Sequence, residues 1–208
     1  NMTKSLVVAS ATALIILLAI LYFLNRSSEE KNYPRAGKNI IAFGDSLVEG
    51  VGASAGKDFV SLLSQKINMP VINVGQSGDT TALALVRLNK DVLSRDPRIV
   101  IILLGGNDAI RRVPKEEVVK NLAIMIEQIQ KKGAAVLLLG IQGGIFRDQY
   151  KRLFANLARE KKIFHVPDIL DDIFGNPQLM SDPLHPNDQG YEIIAKRIEP
   201  TLFEILKK

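Results

Sequence analysis

Apolar residues in this chain follow three rhythms. One is a single run, Leu6 to Leu24, nineteen residues without a charge. Another is a set of short runs rich in Ile, Val and Leu: Ile40–Phe43, Val71–Val74, Ile99–Leu104, Ala135–Leu139 and Ile163–Val166. The third of these (IVIILL) is apolar at nearly every position, as a strand covered on both faces requires. Between these runs, apolar residues recur three and four apart. That spacing predicts helices over Phe59–Ile67, Thr80–Ser94, Lys115–Lys132, Arg147–Glu160 and Asn187–Leu206, with Thr80, Pro114 and Asn187 as start signals. Alternating strands and helices of these lengths predict an α/β fold. Its form is a three-layer sandwich, with a five-stranded parallel sheet between helices and right-handed crossovers.

The nineteen-residue run is a different object. As a helix it would rise about 28 Å, close to the hydrocarbon thickness of a bilayer. A cleaved signal peptide needs a small-x-small site after its apolar core. Here Ala9, Ala11 and Ala13 precede the most apolar stretch, and bulky Tyr22, Phe23 and Leu24 follow it. Residues 1–26 are therefore expected to form an uncleaved transmembrane anchor, residues 27–38 a polar linker, and residues 39–208 the globular domain. Lys4 lies on one side of the run and Arg26 and Lys31 on the other, so flanking charge barely orients it. The expectation is a single-pass protein of a bacterial inner membrane, with its domain on the periplasmic or extracellular side.

Composition narrows the chemistry. The 208 residues are 47% hydrophobic and 24% charged, which excludes a disordered chain. The absence of cysteine removes disulfides, thiolate metal sites, cysteine nucleophiles and a lipoprotein anchor together. With two histidines, a zinc site built mainly from imidazoles is not expected. The formal charge is +5, but beyond Arg26 the balance is 25 basic against 22 acidic residues, too even to indicate nucleic acid as a partner. The oligomeric state is not legible.

In an open α/β sheet, ligands bind outside the carboxyl ends of the strands. Four segments are placed to reach that edge: Gly44-Asp45-Ser46-Leu47, Ser77-Gly78-Asp79, Gly105-Gly106-Asn107-Asp108, and Asp182 to His185. A serine hydroxyl needs a base before it can attack. His185, stiffened between Pro183 and Pro186, can supply one, and Asp182 can accept from the other ring nitrogen. His165 lies in the apolar context IFHVP and reads as structural. Acyl transfer also needs donors for a developing oxyanion. The Asn107 side chain and the Ser46 and Gly78 N–H groups could provide them. Taken singly, each of these residues is equally a turn former; taken together, they converge on one edge.

These four blocks, in this order and spacing, resemble those of the SGNH hydrolases, also called GDSL esterases. NVGQSGDTT, LLGGNDAIRR and PQLMSDPLHPN are most similar to the bacterial thioesterase I/lysophospholipase L1/arylesterase group. The resemblance runs from about Asn39 to the carboxy terminus. It implies a flavodoxin-like SGNH fold and a shallow site using neither metal nor cofactor. In it Ser46 would be the nucleophile, His185 the base and Asp182 its orienter, with Ser46 N–H, Gly78 N–H and Asn107 as oxyanion donors. One departure concerns Gly140–Phe146, which lacks a Pro-x-Asn-Tyr-like pattern, so acyl preference does not carry over.

Three further features have plainer explanations. The glycines of VEGVGASAG are followed by Lys57-Asp58 and not by a Walker Lys-Ser/Thr pair; they predict a mobile loop beside Ser46. Asp45, Asp79 and Asp108 read as turn residues and not as a metal cluster. Arg111 and Arg112 could meet anionic head groups, but a solvated approach to a helix is the simpler reading. The expected function is a membrane-anchored serine esterase. It would act on acyl esters or thioesters, lysophospholipids foremost, through an acyl-enzyme. The competing readings are a cell-envelope carbohydrate O-deacetylase with the same machinery, and a tethered binding protein without turnover.

Overall fold

A computed structural model describes residues 32–142 and 150–207. The apolar run Leu6–Leu24, and with it the expected anchor, lies outside the described residues. Among the described residues no helix is long and apolar enough to cross a membrane.

The sheet has five parallel strands: β1 (Asn39–Gly44), β2 (Val71–Gly75), β3 (Pro97–Leu103), β4 (Ala135–Leu139) and β5 (Phe164–Val166), in the order β2-β1-β3-β4-β5. Successive residues of the central strands enter opposite layers. Ile40, Ala42, Ile99 and Ile101 pack against α2 (Phe59–Ile67) and α7 (Asp188–Leu206). Ile41, Phe43, Val100 and Ile102 pack against α3 (Thr81–Asp91), α5 (Lys115–Lys131) and α6 (Lys151–Glu160). Residues Ile99 to Leu103 are fully buried, which is why that run is apolar without interruption. The three-layer sandwich expected from the sequence is the fold observed.

Two short helices complete the architecture: α1 (Ser46–Glu49) and α4 (Gly106–Ile110). Both follow central strands, β1 and β3, at the carboxyl edge where the strand order reverses. Register keeps that edge level, because Gly44 lies opposite Gly75 in β2 and Leu103 in β3. A side chain at Gly75 would collide with the Glu49 backbone, so α1 can sit directly on the end of β2.

Element ends differ in detail from expectation. The helix expected to reach Ser94 ends at Asp91; a 3₁₀ turn follows over Leu93–Arg95, and Asp96 takes φ +50° before β3. The last strand begins at Phe164, and the helix expected from Arg147 is described only from Lys151. Residues 32–38, read as linker, are bound to the body. Asn32 N–H donates to Lys162 O at 2.7 Å, Arg35 N–H donates to Gly133 O at 2.7 Å, and the Tyr33 ring meets Phe164 edge-on at 5.1 Å. The compact unit accordingly starts at Asn32.

Candidate active site

β1 ends at Gly44, and Asp45 caps α1 by accepting from Leu47 N–H at 3.1 Å. This tight strand-to-helix passage places Ser46 at the first position of α1. His185 reaches the same point from the loop before α7, and its Nε2 lies 2.9 Å from Ser46 Oγ. On the far side of the ring, His185 Nδ1 lies 2.7 Å from Asp182 Oδ2. An ionised carboxylate only accepts, so Nδ1 carries the proton and the Nε2 lone pair faces the serine hydroxyl.

Asp182 also shapes its own loop. Its Oδ1 accepts from the N–H groups of Leu184 at 2.7 Å and His185 at 2.9 Å. Partial burial works to raise this carboxyl. The Leu184 N–H, the His185 ring and the His185 N–H together outweigh it and hold Asp182 below the ordinary carboxylate range. The loop closes through Ser181 N–H to His185 O at 2.8 Å, and Asn187 then caps α7.

The glycine-rich loop expected beside Ser46 lies there and is fastened. Tyr191 OH donates to Val51 O at 2.8 Å, and Ser54 N–H donates to Asp188 Oδ1 at 2.7 Å. Gly52 packs so closely on Pro186 and Ser181 that no side chain would fit. The glycines thus seat the His185 loop and the start of α7 against α1.

Ser46, Gly78, Asn107 and His185 line one open cleft of about 190 Å³, whose apolar wall includes Leu47, Ile110, Ile141 and Leu184. Gly78 sits in a turn closed by Asp79 N–H to Gln76 O at 3.2 Å, and takes φ +81°. Among the described residues, the Ser46 and Gly78 N–H groups donate to no protein acceptor. Asn107 lines the same cleft; its Nδ2 donates to Asp79 O at 3.0 Å and makes a longer contact of 3.4 Å to Asp45 Oδ2. All five residues expected at the site therefore meet. Ile141 brings the segment after β4 to the cleft as well, while residues 143–149 lie outside the described ones.

The three aspartates behind the site each have their own partners. Asp108 accepts from Thr81 N–H at 2.9 Å and Thr81 Oγ1 at 2.7 Å. Asp79 is paired with Arg87 Nε at 2.6 Å. Nothing in the sequence singles out Arg87. Its guanidinium also donates to Val74 O at 2.9 Å and Gly44 O at 3.0 Å, and lies 4.5 Å over the Phe43 ring. It therefore ties the ends of β1 and β2 to the Gly78–Asp79 turn. No spacing rule flags a lone arginine within an amphipathic helix. Arg111, expected to be solvated, is exposed and also donates to Gly78 O at 3.0 Å. His165 lies on β5, outside the cleft lining, with Nε2 buried and unbonded among the described residues. Burial keeps its imidazole below the usual value.

Asp45 is the most perturbed carboxyl beside the site. Burial pushes it up to about 7; the Leu47 N–H and nearby His185 pull it down, while Asp79 and Asp108 push it up. An unfolded aspartate titrates near 3.9. Between about 4 and 7, the folded state thus holds a proton that the unfolded chain has lost, and this group's share of stability falls as pH rises. Asp45→Asn should abolish that share. Urea midpoints measured from pH 4.5 to 7.5 should show the variant gaining on the parent as pH rises; parallel curves would contradict the assignment.

Comparison with known proteins places this geometry. The model of the GDSL-like lipase/acylhydrolase family matches residues 42–193. Esterase TesA of Pseudomonas aeruginosa is 31% identical over 182 residues, covering 82% of this chain and 90% of the relative. The thioesterase 1/protease 1/lysophospholipase L1 of Escherichia coli K12 is 28% identical over 177 residues, covering 79% of this chain and 85% of the relative. A crystal structure of TesA superposes with a TM-score of 0.76 at 30% identity, covering 81% of this chain and 99% of that one. A match over most of the chain, on a fold with the same likeness, shows that this chain belongs to the GDSL-like lipase/acylhydrolase family and is a serine ester hydrolase.

Proposed function

We propose that Ser46 is the nucleophile, His185 the general base and acid, and Asp182 the group that orients and stabilises the imidazolium. The oxyanion donors are Ser46 N–H, Gly78 N–H and Asn107 Nδ2. The observation that carries this reading is the continuous path from Asp182 to His185 at 2.7 Å and from His185 to Ser46 at 2.9 Å. As Ser46 Oγ adds to the acyl carbon, its proton passes to His185 Nε2 and the carbonyl electron pair moves onto oxygen. Collapse of this adduct breaks the bond to the leaving oxygen or sulfur, which takes the proton from His185. Water then repeats the sequence on the acyl-serine: His185 accepts its proton, and Ser46 leaves reprotonated with release of the acid.

The substrate class we favour is acyl esters or thioesters of lipid type, lysophospholipids foremost. Three things support it: the apolar wall formed by Leu47, Ile110, Ile141 and Leu184, the activities named for the relatives, and an apolar amino-terminal run long enough to anchor the enzyme at a bilayer. In this reading residues 1–26 hold the protein in a bacterial inner membrane, with the catalytic domain outside the cytoplasm. Initial rates of the full-length protein on p-nitrophenyl esters from acetyl to palmitoyl, with lysophosphatidylcholine alongside, test the substrate class. Rates should peak at medium or long chains, with release of fatty acid from the lysolipid. Turnover confined to acetyl esters would contradict it and favour a carbohydrate O-deacetylase.

A further inference from the structure

We propose that Glu49 is a positioning residue for oxyanion stabilisation, holding in place the turn that presents the Gly78 N–H; the inference rests on Gly78 acting as an oxyanion donor. Glu49 ends the short helix that Ser46 begins. Its Oε2 accepts from Ser77 N–H at 2.7 Å and from Ser77 Oγ at 2.5 Å. On the other side of the turn, Arg111 donates to Gly78 O at 3.0 Å. The peptide between Gln76 and Ser77 and the one between Gly78 and Asp79 are thus both tied. The peptide between Ser77 and Gly78, whose N–H is the donor, is held between them. Glycine alone cannot do this, because it is equally at ease at positive and negative φ.

The helix itself is fixed. Asn73 Nδ2 donates to Val48 O at 2.7 Å, and the Gly75 backbone lies against Glu49. One turn of helix therefore carries the nucleophile at its start and grips the donor turn at its end, so that attacking atom and oxyanion donor move as one body. Electrostatics alone predicts the opposite effect. A carboxylate near a developing oxyanion opposes it, so deleting Glu49 would speed the reaction if the charge were all that mattered.

The two accounts separate in the kinetics of the full-length protein on p-nitrophenyl butyrate. Rates are taken per active site titrated with diethyl p-nitrophenyl phosphate, so that misfolded molecules are not counted. Glu49→Ala should lower kcat about tenfold with KM within about twofold, a fraction of the about 10²–10³-fold loss expected when a whole oxyanion donor is deleted, as in Asn107→Ala. Glu49→Gln, which keeps an oxygen for the Ser77 N–H, should recover at least about half of the parent rate. Ser77→Ala removes only the hydroxyl and should fall between the two. Unchanged or raised kcat in Glu49→Ala, with Asn107→Ala still impaired, would overturn the positioning role and leave the oxyanion reading standing. An unimpaired Asn107→Ala would overturn the oxyanion reading itself.

Discussion

Ser46→Ala should lower kcat/KM on any ester the enzyme hydrolyses by about 10⁴–10⁶-fold, judging from the loss of nucleophiles in comparable triads. Of the hydroxyls lining the cleft, Ser46 Oγ is the one bonded to His185; Ser77 Oγ is committed to Glu49. The loss should come without loss of fold. Among the described residues the Ser46 side chain makes a single hydrogen bond, to a loop that Asp182 and the Ser181–His185 bond keep closed without it. The variant should therefore melt within a few degrees of the parent by circular dichroism, a change of about 1 kcal/mol or less. Retention of more than a few per cent of the parent rate would assign the attack to another group.

The second large effect is expected at Asp182. Asp182→Asn changes one atom and should cost about 10⁴-fold in kcat with KM nearly unchanged. The Leu184 and His185 N–H groups need an acceptor, and they will keep the side-chain oxygen of the asparagine. That leaves the NH₂ group facing His185 Nδ1. A donor there requires a lone pair on Nδ1, so the ring proton moves to Nε2 and points at Ser46. The imidazole then cannot accept the serine proton, although the loop is intact. Single-turnover kinetics should locate the loss in the acylation step. A loss below about tenfold would mean that Asp182 only shapes the loop.

The sheet was legible in the sequence because its central strands are buried on both faces. Val100 and Ile102 enter one layer, Ile99 and Ile101 the other, and no polar position interrupts them. The helices α1 and α4 were not legible, because four or five residues contain no period to detect. Their places follow instead from caps and strand ends. Residues 32–38 look like a linker because Tyr33 is their one large ring, beside Pro34, Ala36 and polar neighbours, and its contact with Phe164 lies far along the chain.

The site divides along the same line. Ser46, Gly78, Asn107, Asp182 and His185 occupy compact blocks whose chemistry can be read locally. Arg87 and Glu49 act across strand ends on Gly44, Val74 and Ser77, through contacts that no local spacing announces. Both hold the Gly78–Asp79 turn, and neither differs in sequence context from an ordinary surface charge. Arg111 is the third such case, joining α4 to the same turn. The groups that could do the chemistry were open to a reader of the sequence; those that hold the backbone donor in place were not.

The central claim is that the acyl group passes through a covalent ester at Ser46. The most direct test is peptide-level mass spectrometry of the full-length protein after an acid quench during turnover of a slowly deacylated p-nitrophenyl ester. The account predicts one added acyl mass per protein, on the peptide carrying Ser46, and no addition in Ser46→Ala. An acyl mass on any other residue, or turnover with none at Ser46 while the burst of p-nitrophenolate is complete, would contradict it.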